Sequence, residues 1–134
     1  MKVKNTLIIE DIVMDTYILD FNLKRAEYSQ NIATYSSAKK ALDYLSETDL
    51  EEFPDIIFLD LNLPLMDGFE FLEHYKRFPE EKKKKCKIVV QSSSKDAKDI
   101  ASACGMNNVY KYISKPVDHF KLDALFEEIF LEIS

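Results

Sequence analysis

Ile56-Ile57-Phe58-Leu59-Asp60-Leu61-Asn62-Leu63-Pro64-Leu65-Met66-Asp67-Gly68 is the stretch that decides how this chain folds. Four apolar residues end abruptly in a carboxylate. A run that short and that apolar suits a strand buried on both faces, as in parallel sheets covered by helices. Asp60 would then stand at the carboxyl end of the strand, at the start of a loop punctuated by Pro64 and Gly68.

The same arrangement recurs along the chain. Leu7-Ile8-Ile9 ends in Glu10-Asp11, Ile88-Val89-Val90 ends in Gln91-Ser92, and Tyr110 to Ile113 ends in Ser114-Lys115-Pro116, with a weaker apolar element from Asn31 to Tyr35. The segments between have helical spacing. Asp15 to Tyr28 carries Ile18, Phe21, Leu23 and Ala26, and Ser37 to Ser46 carries Ala38, Ala41, Leu42 and Leu45. Phe69 to Phe78 sets Phe69, Leu72 and Lys76 on one stripe, and Asp96 to Ala103 gives a short fourth helix. Asp118 suits the N-cap of a fifth, whose face is Leu122, Leu125, Phe126, Ile129 and Ile133. Pro54 and Pro79 mark loops before two of the strands. Strand and helix alternating five times predict an α/β fold, (βα)5, with a doubly wound five-stranded parallel sheet.

In such open sheets ligands bind beyond the carboxyl ends of the strands. Glu10, Asp11, Asp60, Ser92 and Lys115 all fall at that edge. Three carboxylates brought together repel one another, and a divalent cation relieves the repulsion. An all-oxygen set completed by water suits Mg²⁺. Lys115 adds a fixed cation and Ser92 a hydroxyl donor, a combination that suits an entering phosphoryl group. Each residue alone has a plainer reading as a cap, a turn or a helix entry. Their joint occurrence at the right strand ends, in order, favours the functional one.

Composition bounds the rest. The 134 residues suit one domain, 1–134, able to bury its own core. Against 18 Lys and Arg stand 24 Asp and Glu, a net charge of −6, so nucleic acid is not an expected partner and neither is an anionic membrane. The basic run Lys82 to Lys85, continued by Lys87, is expected to be a solvated loop guarding the next strand. Cys86 and Cys104 lack metal-site spacing and are expected to be reduced thiols in a cytoplasmic protein. No signal peptide is expected, and the apolar runs are too short to span a bilayer.

The stretch from Leu59 to Gly68, with Asp, Pro and Asp-Gly at fixed offsets, resembles the phosphoacceptor loop of two-component response regulator receiver domains. Glu10-Asp11 resembles the acidic pair of that family, Ser92 and Tyr112 match its switch positions, and Lys115-Pro116 its Lys-Pro. The resemblance runs from Val3 to the last helix. It implies a flavodoxin-like sheet in strand order 2-1-3-4-5. It further implies that Asp60 accepts phosphate from a sensor histidine kinase or a histidine phosphotransfer protein. Asp11, Asp60 and the Asn62 carbonyl would ligate Mg²⁺, with Glu10 acting through water. Lys115 and Ser92 would each bond a phosphate oxygen, and Pro64 and Gly68 would shape the loop. Ser92 moving toward phosphate would let Tyr112 turn inward. That repacks the face of helix four, strand five and helix five, which meets an effector protein or a second copy in a weak homodimer.

The chain departs from the family in places. The acidic pair is Glu-Asp where Asp-Asp is commoner, and the switch residue is Ser where Thr is frequent. Ser93 and Ser94 follow Ser92, which is preferred because it directly succeeds the strand. Asn62 and Ser94 occupy positions where the family tunes hydrolysis, and the segment from Ala101 to Val109 is longer than the usual turn. No output segment remains for binding DNA, so a stand-alone phosphoacceptor signalling protein that assists its own phosphoryl transfer and dephosphorylation is expected, rather than an enzyme. A dehalogenase-like phosphatase would carry its nucleophile after the first strand. A pseudo-receiver would lack one of the acidic or lysine residues, and a flavodoxin-like binder would need a Ser/Thr/Gly-rich first loop in place of Ile12-Val13-Met14.

Overall fold

The computed structural model describes residues 1–93, 97–106 and 108–133. Five strands, β1 (Val3–Ile9), β2 (Ser29–Tyr35), β3 (Ile56–Asp60), β4 (Lys87–Ser92) and β5 (Val109–Ser114), form one sheet in the order β2-β1-β3-β4-β5. Every pairing is parallel. The helices are α1 (Val13–Arg25), α2 (Ala38–Glu47), α3 (Gly68–Tyr75), α4 (Glu80–Lys85), α5 (Ala97–Cys104) and α6 (His119–Ile133). The expected five-stranded order is therefore observed.

Period-two alternation divides the sheet into two cores. Leu7, Ile9, Ile57, Leu59, Ile88 and Val90 face α2, α3 and α5, where they meet Ala41, Leu45, Phe71, Leu72 and Ala103. Ile8, Ile56, Phe58 and Val89 face α1 and α6, where they meet Leu19, Leu23, Leu122, Phe126 and Ile129. All five residues of β3 are buried because the strand is central and covered on both sides.

Several helix expectations need correction. α1 stops at Arg25, Glu27 turns the chain at φ 56°, and Tyr28 stacks on Phe126 with ring centroids 4.2 Å apart. Its buried residues are Leu19 and Leu23, whereas Phe21 is exposed. α3 buries Phe71, Leu72 and Tyr75 and ends before Lys76. The Asp118 cap is as expected, its Oδ1 accepting from the Lys121 amide at 3.0 Å. Ser94 and the expected start of the fourth helix at Asp96 lie outside the described residues.

The basic run is not a solvated loop. It forms α4, and its lysines reach across to the ends of other elements. Lys82 Nζ donates to the Thr48 carbonyl at 2.6 Å, Lys83 Nζ to that of Lys76 at 2.7 Å, and Lys85 Nζ to Leu50 and Glu51 at 2.9 and 2.7 Å. Thr48 and Lys76 are the C-caps of α2 and α3, so these cations meet carbonyls at the negative ends of two helix dipoles. Because α4 is an added element, the face expected at helix four, strand five and helix five is α5, β5 and α6 here. Cys86 and Cys104 are both free, the first buried and the second exposed. Among the described residues no helix is long and apolar enough to cross a membrane.

Candidate functional site at the carboxyl edge of the sheet

Register assembles the site. Asp60 ends β3 and pairs with Gln91 of β4, while Leu59 pairs with Ile9, the residue before Glu10. Glu10, Asp60 and Ser92 are therefore held at one edge, and all three are buried. The carboxylate oxygens of Glu10, Asp11 and Asp60 lie within 4.8 Å of one another. Lys115 enters from the end of β5, where its amide donates to the Ser92 carbonyl at 2.9 Å. Its ammonium pairs with Glu10 Oε1 and stands 3.5 Å from Asp60 Oδ2.

The loop after Asp60 is held by backbone constraints. The Asn62 amide donates to Asp60 Oδ1 at 3.2 Å, and the Asn62 side chain donates to Ser92 Oγ at 3.1 Å. The loop thus ties the carboxylate of one strand to the hydroxyl of the next. Leu65, fully exposed, takes φ 68°, a left-handed conformation rare for a side chain of its size. The chain then returns to β3. The Gly68 amide donates to the Leu61 carbonyl at 3.0 Å, and a Cβ on Gly68 would lie 2.7 Å from the Asp60 carbonyl oxygen. Asp67 caps α3, accepting from the Glu70 amide at 2.9 Å, while Glu70 reaches back to the Asp67 amide in a capping box.

Electrostatics here are unbalanced. Burial pushes the Glu10 carboxyl up to about 7, and Asp60 adds to the effect against the opposing pull of Lys115 and the Ile12 amide. Burial alone would lower the Lys115 ammonium, but its bonds to Glu10 and Asp15 and the charge of Asp60 outweigh that and hold it above the ordinary lysine range. Asp11 Oδ1 is buried and has no hydrogen-bond partner. An orphaned carboxylate oxygen beside two buried carboxylates is an all-oxygen donor set, and a hard divalent cation such as Mg²⁺ or Mn²⁺ fits it.

The structure brings together Glu10, Asp11, Asp60, Asn62, Ser92 and Lys115. Tyr112 stands apart, half-buried on β5 against the core that α5 covers. One participant escaped the sequence reading. Asp15, in the first turn of α1, places Oδ2 3.0 Å from the Lys115 ammonium. Helical spacing marked it only as part of α1, and no strand-end signal pointed to it.

With this geometry in view, the model of the response regulator receiver domain matches residues 6–127. The chain belongs to the response regulator receiver family. This receiver is 32% identical over 117 residues to a hybrid signal transduction histidine kinase of Dictyostelium discoideum, covering 85% of this chain but 6% of that protein. It is 31% identical over 125 residues to a probable methanogenesis regulatory protein, FilR2, of Methanothrix harundinacea, covering 92% of this chain and 79% of that one. Among solved structures, a two-component response regulator from Cytophaga hutchinsonii superposes with a TM-score of 0.86 at 26% identity, over 97% of this chain and 98% of the other. The Mn²⁺-bound form of response regulator Rcp1, a protein of Synechocystis, superposes with a TM-score of 0.77 at 27% identity, over 98% and 96%.

Proposed function

We propose that this receiver acts as a cytoplasmic response regulator that takes a phosphoryl group on Asp60. The observation that carries the reading is the convergence of the Glu10, Asp11 and Asp60 carboxylates within 4.8 Å, with the Lys115 ammonium 3.5 Å from Asp60. A cluster of this kind is costly for a fold and useful to a phosphoryl acceptor. Asp11, Asp60 and the Asn62 carbonyl would hold Mg²⁺, with Glu10 contributing through water. The ion would neutralise charge that develops on the transferred group.

The chain's own residues supply the remainder. An Asp60 carboxylate oxygen attacks phosphorus in line with the leaving nitrogen of a phosphohistidine on a sensor kinase or phosphotransfer protein. The P–N bond breaks, an acyl phosphate forms, and the imidazole leaves. Lys115 bonds one phosphoryl oxygen. Ser92, released from Asn62, bonds another. The space Ser92 gives up admits Tyr112, and the α5–β5–α6 face repacks toward the form that an effector protein, or a second copy, binds better. Water later hydrolyses the acyl phosphate at a rate that Asn62 helps to set. The protein is on this reading a signalling switch rather than a turnover enzyme.

The test is incubation with acetyl phosphate, with and without Mg²⁺, followed by hydroxylamine. Incorporation that needs Mg²⁺ and is lost to hydroxylamine marks an acyl phosphate and is the expected result. Absence of label, under conditions that label another receiver, overturns the proposal.

A further inference from the structure

Lys115 is drawn in two directions. Toward the sheet edge it pairs with Glu10 and lies 3.5 Å from Asp60. Toward α1 it lies 3.0 Å from Asp15 Oδ2. Asp15 is not one of the three clustered carboxylates, so a cation held among those would leave the Asp15 charge in place. The ammonium also has little room to escape either partner. Its side chain is 10% exposed, and the cavity it lines with Asp15, Gln91 and Pro116 holds about 10 Å³, no more than one water needs. Its charge is therefore divided between α1 and Asp60, and each carboxylate that claims it weakens its pull on a phosphoryl oxygen.

We propose that Asp15 is a positioning residue that holds the Lys115 ammonium on the α1 side and thereby loosens the grip of the site on a phosphoryl group at Asp60. This rests on the phosphoacceptor reading. The plain alternative is that Asp15 only complements the positive end of the α1 dipole. That role would affect melting of the protein and leave affinity for a phosphoryl mimic unchanged.

The experiment is calorimetric titration of the whole protein with beryllofluoride at saturating Mg²⁺. Asp15→Asn should tighten binding about two- to fivefold, the range set by losing one partly exposed ion pair. Asp15→Glu, whose longer arm still reaches the ammonium, should return affinity to near the wild-type value. In a Lys115→Met background the gain from Asp15→Asn should largely vanish, because the effect passes through the lysine. Unchanged or weaker binding in Asp15→Asn overturns the proposal. So does a gain that persists undiminished without Lys115, which would mean direct repulsion. Failure of the wild type to bind beryllofluoride would instead sink the phosphoacceptor reading itself.

Discussion

Replacing Gly68 by alanine should damage the site more than it damages the fold. The Cβ of alanine would lie 2.7 Å from the Asp60 carbonyl oxygen, 2.7 Å from Leu61 Cα and 3.0 Å from Leu61 Cδ2. Two of the three opposing atoms are backbone, so a side-chain rotation gives no relief. The contact falls about 0.7 Å short of ordinary van der Waals separation, and the backbone after β3 must move by a comparable amount. Overpacking of this kind costs roughly 1–3 kcal/mol. Alanine recovers about 1 kcal/mol through its better helix propensity at the start of α3. The net loss is therefore at most about 2 kcal/mol, read as a lower urea midpoint at unchanged slope. The displaced segment carries Asp60 itself, so Mg²⁺-dependent labelling by acetyl phosphate should fall at least tenfold at a temperature where the variant is fully folded. Gly105→Ala is the control, since its Cβ would meet only the Ala101 carbonyl at 3.3 Å and that of Ser102 at 3.7 Å. It should leave both quantities nearly unchanged. Wild-type stability and labelling in Gly68→Ala would refute the claim that backbone packing against β3 sets the position of Asp60.

Two further outcomes follow from the same geometry. In metal-free protein, Glu10 titrates near pH 7 when folded and near 4.5 when unfolded. Between those values the folded state holds the extra proton, so its stability falls as pH rises through the window and levels off above pH 7. That fall amounts to about 3 kcal/mol at most. Urea unfolding in EDTA from pH 5 to 8 should show Glu10→Gln gaining on the wild type as pH rises, and parallel curves would contradict the burial argument. Asp67→Ala removes the side-chain acceptor of the α3 capping box, leaving only the residue-67 amide donating to the Glu70 carboxylate, and should cost about 1 kcal/mol in urea unfolding, with no loss meaning that the loop, not the cap, starts the helix.

The sheet and most of its edge were legible in sequence because buried parallel strands are short apolar runs, and a polar residue ending such a run has one place to be. Ile56 to Asp60 and Ile88 to Ser92 announced themselves in this way. The helices were harder. α1 is apolar on more than its core side, exposing Val13, Met14, Tyr17 and Phe21, so periodicity could not distinguish Leu19 and Leu23 as the buried pair. α4 reads Glu-Glu-Lys-Lys-Lys-Lys and has no buried residue to give it a period. Its lysines act on carbonyls more than thirty residues away in chain, at Thr48, Leu50 and Glu51, which no local pattern reveals. Asp15 was missed for a related reason, since its partner Lys115 lies 100 positions away. Pairings of that span belong to the fold and not to the local sequence.

The central claim is that Asp60 is the residue that takes the phosphoryl group. Its most direct test is to label the protein with acetyl phosphate and Mg²⁺, reduce the acyl phosphate with borohydride to leave homoserine, and map the peptides by mass spectrometry. Homoserine at position 60, and none in Asp60→Asn, is the expected result. Modification at Asp11 in the wild-type protein, phosphate found on His74 or His119, or no modification at position 60 would contradict it.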